Sequence, residues 1–284
     1  MSHARPTRRS ASLPPLAAKV PEVTAVFWLI KVLTTGMGEA AADYLGEVSV
    51  VVAGGVGALG LVAALVWQLR ARHYMAVRYW TAVAMVAVFG TMVADGPHVV
   101  LGLPYLLSTA LYLLVVGGCF ALWWRNEGTL SIHSITTRRR EGFYWATVLA
   151  TFALGTALGD LTAMVWHLGF FWSGAVFAAL IAVPAIGWAR FGLHPVAAFW
   201  TAYVLTRPLG ASFADWAGKP HHPAGGLDLG DGVVTVGTLV LIVGLVAWCA
   251  VTRRDVQQPT GRAGDGSPVV PAEPALDGPG GGRG

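Results

Sequence analysis

The chain has 284 residues, of which 55% are hydrophobic and only 12% are charged. A soluble domain carries about a quarter charged residues, so this composition excludes an ordinary soluble protein and indicates an integral membrane protein. The net charge of +4 does not indicate nucleic-acid binding, because the basic residues lie in short loops between apolar runs and form no patch. Two cysteines inside apolar runs are too few for a disulfide framework or a thiolate metal site.

The two ends of the chain differ from its apolar middle. Residues 1–18 are predicted to be a disordered cytoplasmic tail, and residues 252–284, which are rich in glycine and proline, a second one. Residues 19–251 form the predicted membrane domain. It contains eight apolar runs close to the roughly 20 residues that a helix needs to cross a bilayer. In chain order these runs are residues 23–44, 48–68, 79–95, 101–124, 143–166, 170–189, 196–216 and 233–251.

The basic residues indicate how these spans are oriented. With both termini in the cytoplasm, every lysine and arginine outside the spans except Lys219 lies on the cytoplasmic side. Because positively charged loops face the cytoplasm, this asymmetry predicts eight spans in the inner (plasma) membrane of the cell with both termini inside. The predicted fold class is therefore all-α, a polytopic membrane helix bundle whose partner is the lipid bilayer.

One pattern occurs four times in the membrane domain. A tryptophan, a glycine ten residues later and an aspartate five residues after that recur without a gap. The four copies are Trp28, Gly38 and Asp43; Trp80, Gly90 and Asp95; Trp145, Gly155 and Asp160; Trp200, Gly210 and Asp215. A plainer helix follows each motif helix. The domain is therefore predicted to be four parallel two-helix repeats, at about 19–70, 71–125, 140–190 and 191–251.

The repeated residues predict a common arrangement of the motif helices. At 100° per residue, the repeat residues share a stripe with the polar residues of their helix, and this stripe is about 140° wide in the first copy. We expect the stripe to face the bundle interior, and the apolar returning helices to face lipid or to pack outside the first ring. The tryptophans are expected to anchor the bundle at the membrane interface, and the glycines to form close contacts between helices.

The aspartates of the repeat are the first four of the nine in the chain: Asp43, Asp95, Asp160 and Asp215. Each lies about 22 Å beyond its tryptophan along the helix, which places it at the outer membrane interface. A hydrated carboxylate there could simply end its helix, or the four could form an acidic vestibule that concentrates cations. Three threonines of the stripe are further candidate binding residues: Thr35, Thr91 and Thr156.

Three charged residues are predicted to lie inside spans and are candidate binding residues: Lys31, Glu39 and Arg207. A charge there costs about 2.5–3.5 kcal/mol on insertion scales, so such residues face the interior and pair. Lys31 and Glu39 are about 12 Å apart along one helix, too far for a direct bond. We therefore predict that Glu39 meets Arg207 from the fourth motif helix. The pair is either structural or part of a binding site in which Glu39 is the first group below Asp43.

Histidines near the outer ends are candidates for a metal site. His98 and His167 neighbour repeat aspartates, and histidine with carboxylate is a ligand set for divalent cations or a proton-titrating group. Loop histidines are more often plain surface residues. The sequence leaves open whether His98 and His167 bind a metal together with the repeat aspartates, and it predicts no cofactor.

Two of the copies resemble a known family. Residues 19–45, KVPEVTAVFWLIKVLTTGMGEAAADYL, and residues 143–163, FYWATVLATFALGTALGDLTA, are similar to a bacterial family of repeat-containing integral membrane proteins built from four copies of a short domain of unknown function. The resemblance covers about residues 19–251. It implies a helical membrane fold and a cell-membrane location, and it carries over no catalytic residues. The second copy departs most, because it has valine and alanine where the first has threonine, which argues against a symmetric four-fold site.

Two functions remain open at this point. The polar stripe, the embedded charges and the outer acids favour a transporter or permeation pathway for a cation or a small charged solute. The alternative is a non-transporting membrane scaffold or sensor, in which the stripe only packs helices together. An enzyme is not predicted, because the chain has no H-E-x-x-H motif, no phosphate loop and no G-x-S-x-G motif. The sequence does not predict an oligomeric state.

Overall fold

The computed structural model describes residues 18–257, and the rest of both predicted tails lies outside this range. Within it the chain forms eight α-helices and no β-strand. A 3₁₀ turn (Ile132–Ser134) precedes the fifth helix, and a π-helical turn (Leu161–Val165) extends it. The helices are α1 (Ala25–Val48), α2 (Val50–Leu69), α3 (Ala76–Leu101), α4 (Tyr105–Glu127), α5 (Arg138–Asp160), α6 (Gly169–Phe191), α7 (Pro195–Gly218) and α8 (Asp231–Thr252). The predicted all-α fold is confirmed.

Seven of the eight helices are long and apolar enough to cross a membrane. The exception is α7, which has 24 residues like α1 but carries polar side chains such as Thr206, Arg207 and Ser212 on its buried face. These side chains face protein and not lipid, so they lower the apolar content of α7 without exposing a charge. The outer helices instead expose large apolar side chains, including Val51 and Leu114. An apolar surface this extensive is unfavourable in water and suits contact with lipid. The chain is a multi-pass helical membrane protein.

Helix α3 is longer than the predicted span 79–95, because it continues through Pro97 to Leu101. Proline has no amide hydrogen, so the carbonyl of Val93 loses its partner within the helix. The hydroxyl of Tyr112 on α4 donates to this carbonyl at 2.5 Å, which satisfies it and allows the helix to continue. The helix ends at Gly102, whose φ of 65° is the left-handed conformation common at helix C-termini.

The four motif helices α1, α3, α5 and α7 pack against one another in that order, and α7 closes the ring on α1. The returning helices lie outside. Each packs mainly on the motif helix of the next repeat: α2 on α3, α4 on α5, α6 on α7, and α8 on α1. The predicted inner and outer positions are therefore confirmed. The packing unit is a returning helix with the motif helix that follows it.

The repeat glycines mark the closest contacts of the ring, as predicted. A Cβ atom on Gly38 would collide with Ala87 of α3, and one on Gly90 with Phe152 of α5. The pattern continues around the ring, where Gly155 faces Arg207 and Gly210 faces Thr35. Each of the four contacted residues lies three positions before the glycine of its own helix. The same contact is therefore made four times, and it brings neighbouring backbones together as small residues do in membrane bundles.

The prediction that the repeat tryptophans anchor the bundle at the membrane interface is wrong for three of them. Trp80, Trp145 and Trp200 are each at most 5% exposed. They pack edge-on against tyrosines inside the ring, for example Trp80 against Tyr79 and Trp145 against Tyr144. The stripe that carries the glycine and the aspartate also carries the tryptophan, so turning the polar residues inward buries the indole as well.

Gly38 offers a direct test of the ring contact. In the Gly38→Ala variant, the new Cβ would lie 2.7 Å from the carbonyl carbon of Ala87, so α1 and α3 must move apart. We expect a loss of about 1–3 kcal/mol in the free energy of unfolding, as for overpacked cores. The measurement is thermal unfolding in detergent. Gly54→Ala on α2 is the matched control, because nothing lies within 4 Å of its new Cβ. Equal melting temperatures for the two variants would contradict the contact.

Candidate functional site

Arg207 lies on the axis of the helix ring and joins all four motif helices. Its Nη2 donates to a carboxylate oxygen of Glu39 on α1, to the hydroxyl of Thr91 on α3, and to the hydroxyl of Thr156 on α5 at 2.6 Å. These three acceptors occupy the same repeat position, directly after the glycine. The fourth helix has Ala211 there, which has no polar group and leaves room for the guanidinium. The equivalent positions of three repeats thus bind one side chain of the fourth.

The Glu39–Arg207 ion pair was predicted because the two residues lie at similar depths in equivalent helices, and the structure confirms the contact. Glu39 is 3% exposed and Arg207 is 1% exposed, so neither charge is solvated. Nη1 of Arg207 also donates to the backbone carbonyl of Thr35 at 3.3 Å. The hydroxyl of Thr35 bonds the carbonyls of Val32 and Thr206 and does not reach the guanidinium. Thr35 therefore contributes its backbone to the site, whereas Thr91 contributes its side chain.

Lys31 faces the interior as predicted, but the expectation that it pairs is wrong. Its side chain is fully buried, and Nζ has no hydrogen-bond partner among residues 18–257. The amine lies 4.1 Å from the ring centroid of Phe152 and 4.3 Å from that of Tyr203. The guanidinium of Arg207 faces the same Phe152 ring at 5.5 Å. Within the described range the amine therefore contacts aromatic faces and pairs with no acid.

The end of the ring that bears the four repeat aspartates, here called the acidic end, brings three carboxylates together. Oxygens of Glu39, Asp43 and Asp215 all lie within 4.8 Å of one another. Asp215 is 6% exposed and takes part in no ion pair or side-chain hydrogen bond within the described range. Asp95 and Asp160 are half-buried at the same end, but they do not join the cluster.

The end of α7 and the start of α8 supply two residues that the sequence did not predict as site residues. Nζ of Lys219 lies 2.7 Å from Oδ2 of Asp43 and 3.1 Å from Oδ2 of Asp231, the first residue of α8. Burial lowers the pKa of Lys219, but the carboxylates of Asp43, Asp215 and Asp231 outweigh this effect and raise it above the ordinary lysine value. The available signal was that Lys219 is the lone basic residue of the loops predicted to face outward.

The two histidines considered as metal ligands do not join the carboxylate cluster. Nδ1 of His98 lies 2.8 Å from the carbonyl oxygen of Leu103, and its ring stacks on Tyr105. His167 is exposed in the turn after α5, with a φ of 55°. Within residues 18–257, the groups that could hold a metal together are the three carboxylates alone. His98 lies in the last turn of α3 and His167 in the turn after α5, and neither belongs to the cluster.

The opposite end, here called the terminal end, is closed by residues 18–24 and 253–257. Nζ of Lys19 lies 2.7 Å from Oε2 of Glu141, and both side chains are buried. Gln68 donates to the other oxygen of Glu141 at 3.1 Å. The amide of Glu22 donates to the carbonyl of Asp255 at 2.8 Å, so the two ends of the described chain are bonded to each other. A buried ion pair thus lies at each end of the aromatic interior.

The four-copy organisation identifies the family. A family model described as Repeat of Unknown Function (DUF347) matches residues 26–74, 78–129, 143–193 and 198–255. The chain belongs to this family. Each matched segment contains one tryptophan, one glycine and one aspartate of the repeat, and the resemblance stated from the sequence is confirmed. No curated protein and no solved structure matches the chain.

The ion pair can be tested with a double-mutant cycle. Arg207→Leu leaves Glu39 buried without a counter-charge, and we expect it to cost about 3–5 kcal/mol. Glu39→Leu combined with Arg207→Leu removes both charges and should be less damaging than the sum of the two single changes. Folded protein in detergent and its melting temperature are the measurements. Arg190→Leu, at an exposed arginine of α6, is the control and should change little. Additive single effects would show that the two residues do not stabilise each other.

The second test concerns Lys31. Lys31→Met removes an amine without an acceptor and keeps a chain of similar length, so we expect unchanged or higher thermal stability. The melting temperature of the purified variant in detergent decides the question. A fall as large as that of Arg207→Leu would mean that the amine has a partner that stabilises the fold.

Proposed function

We propose that the protein is a membrane transporter or permeation pathway for a cation or a small charged solute, and that a cation is the favoured substrate. The observation that carries the proposal is Asp215. Its carboxylate is nearly buried, has no partner within the described range, and converges with Glu39 and Asp43. A carboxylate withdrawn from water without a donor or counter-ion is unfavourable, so this arrangement suits a positively charged ligand.

In this proposal the acidic end faces outward from the plasma membrane, and the termini lie in the cytoplasm. The distribution of lysine and arginine supports this orientation, because basic loops remain on the cytoplasmic side. Asp95 and Asp160 lie half-buried at the same end without joining the cluster. Carboxylates gathered at the mouth of a site raise the local concentration of cations when they are ionised.

The axis is closed below the carboxylates in the described conformation. Arg207 fills it together with Glu39, Thr91 and Thr156, and Lys31 lies beyond them. Passage of a solute therefore requires the guanidinium to leave its acceptors. A carrier that exposes its site to one side at a time passes through states in which the axis beneath the site is closed in this way.

The second candidate function is a non-transporting scaffold or sensor. The closed axis and the glycine contacts of the ring favour it, because both would serve equally well to hold four helices together. This alternative does not account for Asp215, since a purely structural ring gains nothing from a buried carboxylate without a partner. A transport measurement separates the two functions.

The experiment is cation uptake into liposomes that contain the purified protein and an ion-sensitive dye. We expect uptake by the parent protein and at least a roughly ten-fold loss in both Asp215→Asn and Glu39→Gln, because each removes one charge from the cluster. Asp228→Asn is the matched control. Asp228 is exposed in the loop after α7 with a φ of 60°, a conformation that asparagine accepts.

If the parent protein takes up monovalent and divalent cations no faster than empty liposomes do, the result contradicts transport and favours the scaffold function. If the parent and Asp215→Asn take up cations equally fast, the cluster is not part of the transport pathway. Thermal stability of each variant is measured beside the flux, so that loss of folded protein is not counted as loss of transport.

A further inference from the structure

The carboxylate cluster already contacts a positively charged group of the chain itself, the ammonium of Lys219. Nζ of Lys219 lies 2.7 Å from Oδ2 of Asp43, whose oxygens are in turn within 4.8 Å of those of Glu39 and Asp215. A second acceptor, Oδ2 of Asp231, lies 3.1 Å from the same nitrogen on the side of α8. The ammonium therefore stands between the cluster and a separate carboxylate.

The backbone of Lys219 is held by hydrogen bonds, and its side chain is partly exposed. Residues 227–230 return along the end of α7, and their amides donate to the carbonyls of residues 216–219 at 2.7–3.1 Å. The amide of Asp228 bonds the carbonyl of Lys219 itself at 2.9 Å. The side chain is 27% exposed. Its four methylenes let the ammonium move towards Asp231 and water while the backbone stays in place.

The charges of the cluster change in a definite way when the ammonium moves. Glu39, Asp43 and Asp215 contribute three negative charges, and Arg207 neutralises one through its bond to Glu39. With Lys219 on Asp43 one negative charge remains, and with Lys219 turned away two remain. Two negative charges on three carboxylates match a divalent cation. Asp215, which is 6% exposed, is the member of the cluster that forms no ion pair within the described range.

The chemistry of the ligands narrows the class of cation. All the groups that converge are carboxylates, and oxygen ligands are preferred by hard cations such as Mg²⁺, Ca²⁺ and Mn²⁺. Oxygens that bind such an ion from opposite sides lie roughly 4–5 Å apart, given metal–oxygen distances of about 2.1–2.6 Å. The separation of 4.8 Å or less in the cluster is within this reach, and water would complete the coordination.

We propose that Glu39, Asp43 and Asp215 bind one hard divalent cation, and that the ammonium of Lys219 is a built-in competitor that leaves Asp43 when the ion enters. The proposal rests on the proposed function for its biological meaning, because it names the ion that the transport site accepts. The binding event itself is a property of the folded chain. Ion and ammonium exchange as wholes, and no covalent bond is made or broken.

The experiment is Mn²⁺ binding to the purified, chelator-treated protein in detergent, followed by the electron paramagnetic resonance signal of free Mn²⁺. Lys219→Met removes the competitor and should tighten the Kd by about ten-fold or more. Lys219→Arg retains a positive charge and should stay within about three-fold of the parent. Asp215→Asn should weaken binding by about ten-fold or more in either background, and Asp228→Asn should bind like the parent.

A variant with the opposite expected sign guards against misfolding as an explanation. Asp231→Asn removes the acceptor to which the ammonium retreats, so it should weaken Mn²⁺ binding, whereas Lys219→Met strengthens it. Helical content and elution from a sizing column are measured for every variant. Parent and Lys219→Met proteins with equal Kd values would overturn the competitor, and unchanged binding in Asp215→Asn would overturn the site.

The outcome also separates this inference from the transport proposal. A parent protein that carries monovalent cations into liposomes but binds no Mn²⁺ would overturn the divalent site and leave transport standing. Mn²⁺ binding that depends on Lys219, in a protein that moves no ion across liposomes, would support the site and contradict transport.

Discussion

The hydrogen bonds of the Arg207 guanidinium depend on different residues at one equivalent position of the four repeats. It reaches from α7 across the axis and finds acceptors on α1, α3 and α5 at the same repeat position. A charge at this depth is tolerable only because Glu39 and two threonines surround it. The fourth motif helix then needs a small residue at that position, and it has Ala211 there. One motif helix thus supplies the hydrogen-bond donor and the other three supply the acceptors, while the glycine contacts between the four helices remain alike.

Two features of the interior follow from this loss of symmetry. The first repeat supplies both Lys31 and Glu39, so the positive charge of Arg207 lies between a carboxylate on one side and an amine on the other. The carboxylates beyond Glu39 are also unequal. Asp43 has Lys219 as a partner, Asp215 has none in the described range, and Asp95 and Asp160 stay outside the cluster. The carboxylate cluster at this end is therefore built by the first and fourth repeats together.

The sequence predicted the features that depend on spacing along one helix. The interval between tryptophan, glycine and aspartate was enough to place the motif helices inside, the glycines in contact and Glu39 opposite Arg207. It could not predict features that depend on how a helix is rotated or on where a loop returns. Trp80 and Trp145 are buried because the indole shares the inward face. Pro97 lies within α3 because Tyr112 on another helix satisfies the carbonyl that it frees. Lys219 reaches Asp43 because residues 227–230 fold back on the end of α7.

The last returning helix packs on the first motif helix, and residues near the two ends of the described chain are bonded through Glu22 and Asp255. During synthesis α1 must therefore enter the membrane with one flank uncovered, and it stays so until α8 leaves the ribosome. The helices α3, α5 and α7 are each covered by the returning helix made just before them, but α1 is covered only by the last helix made. Assembly of this ring ends where it began, and a chain interrupted before α8 would leave the outer flank of α1 without the helix that packs on it.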